Sequence, residues 1–337
     1  MIGVAVVGAG YWGPNLIRNF TACPLTKVVA VCDKDPGRLA KVLAGYPNIA
    51  AVDNVEALLE RSDVDAVAVA TPVGTHAQIA LAALRAGKHV LVEKPLAPSV
   101  RQAEELVRTA REVGRTLMVD HTFIYSGPVR KIKEIVDSGE LGDLFYVDSV
   151  RINLGLFQHD VNVVWDLAPH DLSIMDYVVG RLPKSLSAFG TCHTDPVSGI
   201  EDVAYLNLDF GDGLLASFHV NWLSPVKVRH FLIGGSLKGL VYNDLSPDEK
   251  IKVYDRGITV SEDTETRRGI LVGYRTGDVW SPRIESMEPL QVMVRHFSEC
   301  IRDGKQPLTD GEAGLRIVRI LEAAQRSIKA QGGRITL

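Results

Sequence analysis

Long hydrophobic runs are missing from this 337-residue chain. No stretch approaches the ~18 consecutive apolar residues that a membrane helix needs, so no membrane partner is expected. The N-terminal apolar stretch breaks at glycines after a few residues and carries neither a basic leader nor a cleavage site, and a secretory signal is not expected there. Cysteine is scarce: Cys23, Cys32, Cys192 and Cys300 lie far apart, without CxxC or metal-ligand spacing. They read as reduced structural thiols of a cytoplasmic protein, and no metal is expected. Positive charge is not massed either. Thirty-seven basic residues face 41 acidic ones, a net charge of −4, and the basic stripe of a nucleic-acid binder is absent. Repeats, low-complexity tracts and an obvious linker are also lacking. The composition, 46% hydrophobic and 23% charged, is that of a globular chain long enough for about two domains.

Two rhythms divide the chain near residue 120. Before it, "GVAVV", "KVVAVCD", "VDAVAVATP", "HVLVEKP" and "TLMV" alternate with helical patterns such as "PGRLAKVLAG", "THAQIALAALRAG" and "SVRQAEELVRTAREVG". Apolar runs without polar alternation indicate strands buried on both faces, and their alternation with helices predicts repeated βαβ units over 1–120. Over 121–337, one helix is expected at "GPVRKIKEIVDSG". Strand-like segments follow: "LFYVDSVRINLG", "SLSAFGTCHT", "DVAYLNLDFGDGLLASFHVNW", "VRHFLIGGSLKGLVYND" and "IKVYD". "DFGDGLL" is a hairpin signal. Helices are expected at "HDLSIMDYVVG" and in two C-terminal stretches that could pack back on the first domain. This half reads as an α+β domain on a large, mainly antiparallel, open-faced sheet, and the segment "RRGILVGYRTGDVWSPR" reads as a loop.

The three glycines of "GAGYWG" follow a strand and open a helix. In that context Gly8 permits a tight turn, Gly10 lets the backbone approach a pyrophosphate, and Gly13 lets helix and strand pack closely. The helix N-terminus offers N–H groups and partial positive charge to phosphates. Tyr11 and Trp12 can serve there through backbone or as walls. Asp33 ends the second strand, where a carboxylate accepts hydrogen bonds from the adenosine ribose, with Lys34 and Arg38 beside it. A dinucleotide site is the expectation, and Asp33 selects NAD over NADP. A turn serving packing alone is the alternative.

Three more stretches carry candidate chemistry. "ATPVGTH" and "VEKP" lie at carboxyl ends of strands, where ligands bind in open α/β sheets. Glu93 and Lys94 are two charges on a strand otherwise apolar enough to be buried; an exposed strand end with an ion pair is the plainer alternative. In "VVWDLAPHDLSIMDYV", Asp166 and His170 are four apart, with Pro169 expected near the first helical turn, so both could face one way. A structural histidine is the plainer reading of His170.

"GAGYWG", "TPVGTH", "EKPL", "SGELGDL", "WDLAPHD" and the C-terminal "EPLQVMVRHFSECIRDGKQPLTDGEAGLRIV" together resemble the Gfo/Idh/MocA oxidoreductases, relatives of glucose–fructose oxidoreductase and inositol dehydrogenase. The resemblance spans essentially the whole chain and implies a Rossmann domain, bound nicotinamide and a sugar, cyclitol or sugar-derivative substrate. It also implies a homodimer or homotetramer through the C-terminal sheet. Matched residue by residue, it implies a catalytic set of Lys94, Asp166 and His170. Thr71, Pro72 and His76 would line the nicotinamide ribose, with Glu93 near the nicotinamide. His121, Tyr125 and Asn153 would join Asp166 and His170 against substrate. Many members have a "GG…D-x-G-x-H" pattern where this chain has "NVVWDLAPH". That variant, with "RINLG" and "YRTGDVWSP", looks like the branch acting on sugar nucleotides and amino-sugar precursors.

The implied reaction moves a hydride between a sugar secondary alcohol and nicotinamide. His170 is the expected general base, with a first-turn position favouring its neutral form. Lys94 would hydrogen-bond the developing alkoxide, and Asp166 would orient hydroxyl or base; the roles of Lys94 and His170 could be exchanged. Oxidation of a hexose 3-hydroxyl is the leading reading. An NAD-dependent glycoside-cleaving enzyme and a non-catalytic sensor are the alternatives.

Overall fold

Runs of valine and alanine in the first third of the chain form six parallel strands: β1 (Ile2–Val7), β2 (Thr26–Cys32), β3 (Ala50–Val52), β4 (Ala66–Val69), β5 (His89–Glu93) and β6 (Leu117–Asp120). The computed structural model describes residues 1–155, 157, 160–194, 199–260 and 272–337. β4 is buried at every position and β1 at all but its first, as unbroken apolar runs demand in a sheet covered on both faces. The strand order is β3-β2-β1-β4-β5-β6, so the winding reverses between β1 and β4, the switch point where doubly wound sheets bind ligands.

The connecting helices are α1 (Gly13–Ala22), α2 (Pro36–Leu43), α3 (Val55–Leu59), α4 (Val73–Arg85) and α5 (Val100–Glu112). Their starts are written locally. Asp35 accepts from the amides of Gly37 and Arg38 at α2, Asn54 from Ala57 at α3, and Ser99 from Gln102 at α5, each satisfying donors that a helix cannot pair internally. A 3₁₀ turn (Thr122–Tyr125) follows β6.

The second rhythm produces α6 (Gly127–Asp137), β7 (Leu144–Leu154), α7 (Val163–Val179), β8 (Ser185–Thr191), β9 (Val203–Asp209), β10 (Leu215–Asn221), β11 (Leu223–Gly235), β12 (Gly239–Asn243), β13 (Ile251–Val260) and β14 (Val272–Trp280). After α8 (Pro289–Asp303) and α9 (Gly311–Lys329), β15 (Ile335–Thr336) completes a nine-stranded sheet in the order β14-β13-β12-β11-β7-β10-β9-β8-β15. All its pairs are antiparallel except β7 with β10. Alternation decides the faces: Ala204, Leu206 and Leu208 of β9 are buried while Tyr205 and Asn207 are exposed. α7 packs on β7, β9 and β10 through buried residues including Val164, Ala168, Leu172 and Met175. Burying a side chain the size of Val164, Leu172 or Met175 contributes about 1.5–3 kcal/mol.

The chain divides into two compact units, Met1–Ser126 with Met287–Glu322, and Gly127–Ser286 with Ala323–Leu337. The division lies past residue 120 because the 3₁₀ turn is tied into the first unit: Tyr125 Oη lies 3.0 Å from Thr309 Oγ1. α8 also belongs to the first unit, and the division falls inside α9.

Two local expectations change. α7 starts at Val163, capped by Asn162, and continues through Pro169; the proline is inside the helix, not in its first turn. Of the segment expected to be a loop, 272–280 is the edge strand β14, while 267–271 lie outside the described residues. Its glycines and charges mimic a loop, yet Gly277 is needed for close pairing: a Cβ there would lie 2.8 Å from the Asp255 carboxylate.

Candidate active site

The glycine loop works through absent side chains. Gly8 has φ +104°, and a Cβ there would sit 2.4 Å from the Ala70 carbonyl oxygen of the neighbouring β4 turn. A Cβ on Gly13 would lie 2.0 Å from the Gly8 carbonyl oxygen, so the strand–helix contact requires hydrogen there. Gly10 is different, with no atom within 4 Å of its Cβ position. That open space beside an α1 N-terminus lacking any side-chain cap suits a phosphate group. Asp33 follows β2 and is braced on the loop: Oδ2 accepts from Ala9 N at 2.7 Å and Oδ1 from Asp35 N at 2.9 Å. Each oxygen keeps a lone pair for ribose hydroxyls. Lys34 and Arg38 are exposed, and Arg38 pairs with Asp35 at 3.4 Å. These residues fit a dinucleotide. Tyr11 is largely exposed and stacks on Trp12, whose indole reaches across to Asp120 Oδ2 at 3.3 Å.

The turn after β4 is fixed by His76. Its buried ring lies 2.7 Å from the Thr71 carbonyl oxygen through Nε2 and 2.9 Å from that of Pro95 through Nδ1. His76 therefore joins the "TPVGTH" turn to the "EKP" segment, and its ring nitrogens are engaged with protein. Thr71 Oγ1 accepts from Thr75, and Pro72 precedes α4 as its N-cap.

At the ends of β5 and β6, Glu93 stands opposite Asp120 in register. Glu93 Oε2 accepts from Lys94 N at 3.2 Å, while Oε1 is buried with no partner. Burial, and then the Asp120 carboxylate, push Glu93 well above the usual carboxylate range, opposed by Lys94. Lys94 follows and is partly exposed. His121 is 2% exposed and neither ring nitrogen has a partner among the described residues; burial, then Lys94 and Arg316, push it down to about 3. It is neutral at physiological pH. Tyr125, implied by the resemblance as a substrate contact, is instead 1% exposed with its hydroxyl against Thr309, and burial pushes that hydroxyl up. It sits in the core.

In the second unit, Asp166 lies in the first turn of α7 and His170 one turn later, both half-buried. His170 is the eighth residue of the helix, beyond the turn where the N-terminal dipole acts, so the dipole argument for a neutral imidazole fails. Two residues that the sequence pattern did not single out hold this helix. Trp222, 1% exposed, donates its indole N–H to Asp166 Oδ2 at 3.1 Å. Arg151 of β7 forks onto Asp171, next to His170, with bonds of 2.7 and 2.8 Å, both side chains buried. Gly155 makes room for the tryptophan: a Cβ there would lie 2.7 Å from Trp222 Cδ1 and 3.3 Å from Asn153 Nδ2. Asn153 thus lies beside the Trp222–Asp166 contact. A buried tryptophan usually finds an acceptor, but nothing in its sequence position names Asp166, 56 residues away.

Comparisons with known proteins place this geometry. The NAD-binding Rossmann fold of the GFO_IDH_MocA oxidoreductase family matches residues 2–121, and the family's C-terminal domain matches residues 129–241. The chain is 25% identical over 360 aligned positions to 2,7-anhydro-N-acetylneuraminate hydratase of Escherichia coli K12, covering 97% of this chain and 95% of that one. It is 40% identical over 130 residues to dTDP-3,4-didehydro-2,6-dideoxy-alpha-D-glucose 3-reductase of Streptomyces violaceoruber, covering 39% of this chain and 38% of that one. A putative NADPH-dependent oxidoreductase of Desulfitobacterium hafniense superposes with a TM-score of 0.84 at 25% identity, over 99% of this chain and 97% of that one. The chain belongs to the Gfo/Idh/MocA family, as an oxidoreductase acting on CH–OH groups with an NAD-binding Rossmann domain.

Proposed function

We propose that this enzyme oxidises, or in reverse forms, a ring hydroxyl of a sugar nucleotide or amino-sugar intermediate, at the 3-position of a hexose unit. The observation that carries the reading is that the sequence has all three members of the implied catalytic set, Lys94, Asp166 and His170, as well as a dinucleotide loop. The partial match to a dTDP-sugar 3-reductase supports the substrate class and the 3-position. When bound, the nicotinamide supplies the acceptor for the hydride.

The residues handle the rest. His170 takes the hydroxyl proton as the carbon–hydrogen bond is weakened. Lys94 donates to the oxygen as negative charge develops on it, which favours the transition state over the neutral alcohol. Asp166, fixed by the Trp222 indole, orients the hydroxyl or the imidazole. Glu93 and His121 lie beside Lys94 and shape its surroundings, while Asn153 stands next to Trp222.

A second reading has a specific observation in its favour. The Escherichia coli relative, matched over 97% of this chain, is a hydratase, so a reaction in which NAD is reduced only transiently is the alternative. A panel of nucleotide sugars, inositols, aminoglycosides and anhydro-sugars decides, read by NADH absorbance and product mass. Stoichiometric NADH with a product lighter by two hydrogens supports the dehydrogenase; a hydrated or cleaved product without net NADH contradicts it.

The exposed face of the nine-stranded sheet supports assembly. Phe189, Tyr205 and Leu215 are 56, 48 and 57% exposed, and Tyr205 is register partner to both Phe189 and His219. Monomers seldom expose such a patch, and pairing of two copies through it gives a homodimer or a tetramer of dimers. Sedimentation as a monomer at micromolar concentration would contradict this.

A further inference from the structure

Glu93 and Asp120 are partners in register at the carboxyl ends of β5 and β6, yet their surroundings differ. Asp120 is supplied with donors: the Trp12 indole reaches Oδ2 at 3.3 Å and the Thr122 hydroxyl reaches Oδ1. Among the described residues, Glu93 Oε2 accepts from the Lys94 amide at 3.2 Å, and its buried Oε1 meets no donor. Two carboxylates facing across adjacent strands repel, and neither can donate to the other. One proton on Glu93 removes the repulsion and lets the orphaned carboxyl bond to Asp120.

We propose that Glu93 and Asp120 act as one buried carboxyl pair holding a single proton on Glu93, with Asp120 a positioning residue that ties the glycine loop, through Trp12, to the backbone of Lys94. Burial, and then the Asp120 carboxylate, push Glu93 well above the usual carboxylate range. Neither His121 nor Tyr125 adds a second anion at neutral pH. His121 is held neutral by burial and by Lys94 and Arg316, Tyr125 is kept protonated by burial, and Lys94 pulls in the opposite sense. The pair then presents one negative charge to Lys94 instead of two, which leaves more of the ammonium's field for a developing alkoxide. That consequence rests on the proposed role of Lys94; the proton itself does not.

Infrared difference spectroscopy on the full chain, without cofactor or substrate, tests the proton directly. The native protein at pH 7 should show the carbonyl stretch of a buried neutral carboxylic acid that is missing in Glu93→Gln. In Asp120→Asn the band should persist but be lost at a pH lower by at least about one unit, a tenfold change in proton affinity. Carbon-13 carboxyl-labelled glutamate in the native protein gives the same titration by NMR should a variant fail to fold. The Trp12 indole proton should shift with the same midpoint, which a merely structural carboxyl would not produce. A native spectrum without a neutral acid, a band that survives Glu93→Gln, or an unmoved midpoint in Asp120→Asn overturns the proposal. None of these readouts needs turnover, so they stand apart from any failure to find a substrate.

Discussion

The first unit offers a dinucleotide mainly backbone, whereas the side chains proposed to react in the second are held by residues distant in sequence. At the glycine loop, specificity lies in what is missing: Gly8 and Gly13 have no room for a Cβ, and Gly10 leaves space open. At α7, the side chains proposed to react are Asp166 and His170; Trp222, between β10 and β11, holds Asp166, and Arg151 of β7 holds Asp171 next to His170. The contrast follows from the folds. Carboxyl ends of parallel strands converge on a switch point, so turns between consecutive elements build the site. An antiparallel sheet offers no such edge, and a helix laid on its face takes its alignment from polar contacts with strands far away in sequence. Cofactor binding and proton handling should therefore separate under mutation.

The largest separation is expected at Lys94. Lys94→Ala should lower turnover by about 10²–10⁴, the range for losing a donor to a developing oxyanion, while NAD affinity by calorimetry stays within a few-fold. Equal losses in both would break the contrast. Arg151→Met should leave Asp171 as an uncompensated buried charge and cost about 3–5 kcal/mol in urea unfolding, with the NAD-binding unit the last to lose structure. Trp222→Phe keeps the ring but removes the N–H on Asp166. A hydrogen bond to a charged group contributes about 1.5–3 kcal/mol, so kcat should fall roughly 10- to 100-fold with KM for NAD unchanged. The smallest effect belongs to Asp33. A 2′-phosphate at ~4 Å meets up to about 4 kcal/mol of repulsion per unit charge at an effective dielectric of ~20, partly offset by Lys34. NAD should bind at least roughly tenfold more tightly than NADP, about 1.4 kcal/mol, and Asp33→Ser should narrow that gap; equal affinities in the native protein would remove Asp33 from the account.

The same contrast explains what could be read from the chain alone. GAGYWG with Asp33 was legible because its parts are consecutive turns of one βαβ unit, and short-range spacing carries the geometry. The "EKP" end and the Asp166–His170 spacing stood out as charges in apolar surroundings. The Trp222–Asp166 and Arg151–Asp171 contacts did not, since they depend on how α7 is laid on the sheet, across 56 and 20 residues of sequence. The Glu93–Asp120 pairing was hidden because parallel strand register joins residues on either side of α5. Pro169 misled about α7 because proline usually marks a first turn, whereas Asn162 sets the start seven residues earlier. β14 read as a loop because its two glycines and its charges are loop residues by composition, and only pairing with β13 makes it a strand.

The claim that binding resides in the first unit and proton handling in α7 is tested most directly by one pH series on His170→Asn. NAD affinity and the rate of sugar oxidation are measured on the same preparations from acid to alkaline pH, beside the native protein and Lys94→Arg. Native oxidation should rise with pH as the imidazole loses its proton and becomes able to accept one. In His170→Asn that rise should vanish, turnover should fall by about 10²–10⁴, and NAD affinity should stay within a few-fold. A rise that persists in His170→Asn but moves or disappears in Lys94→Arg would make the lysine the base and contradict the account.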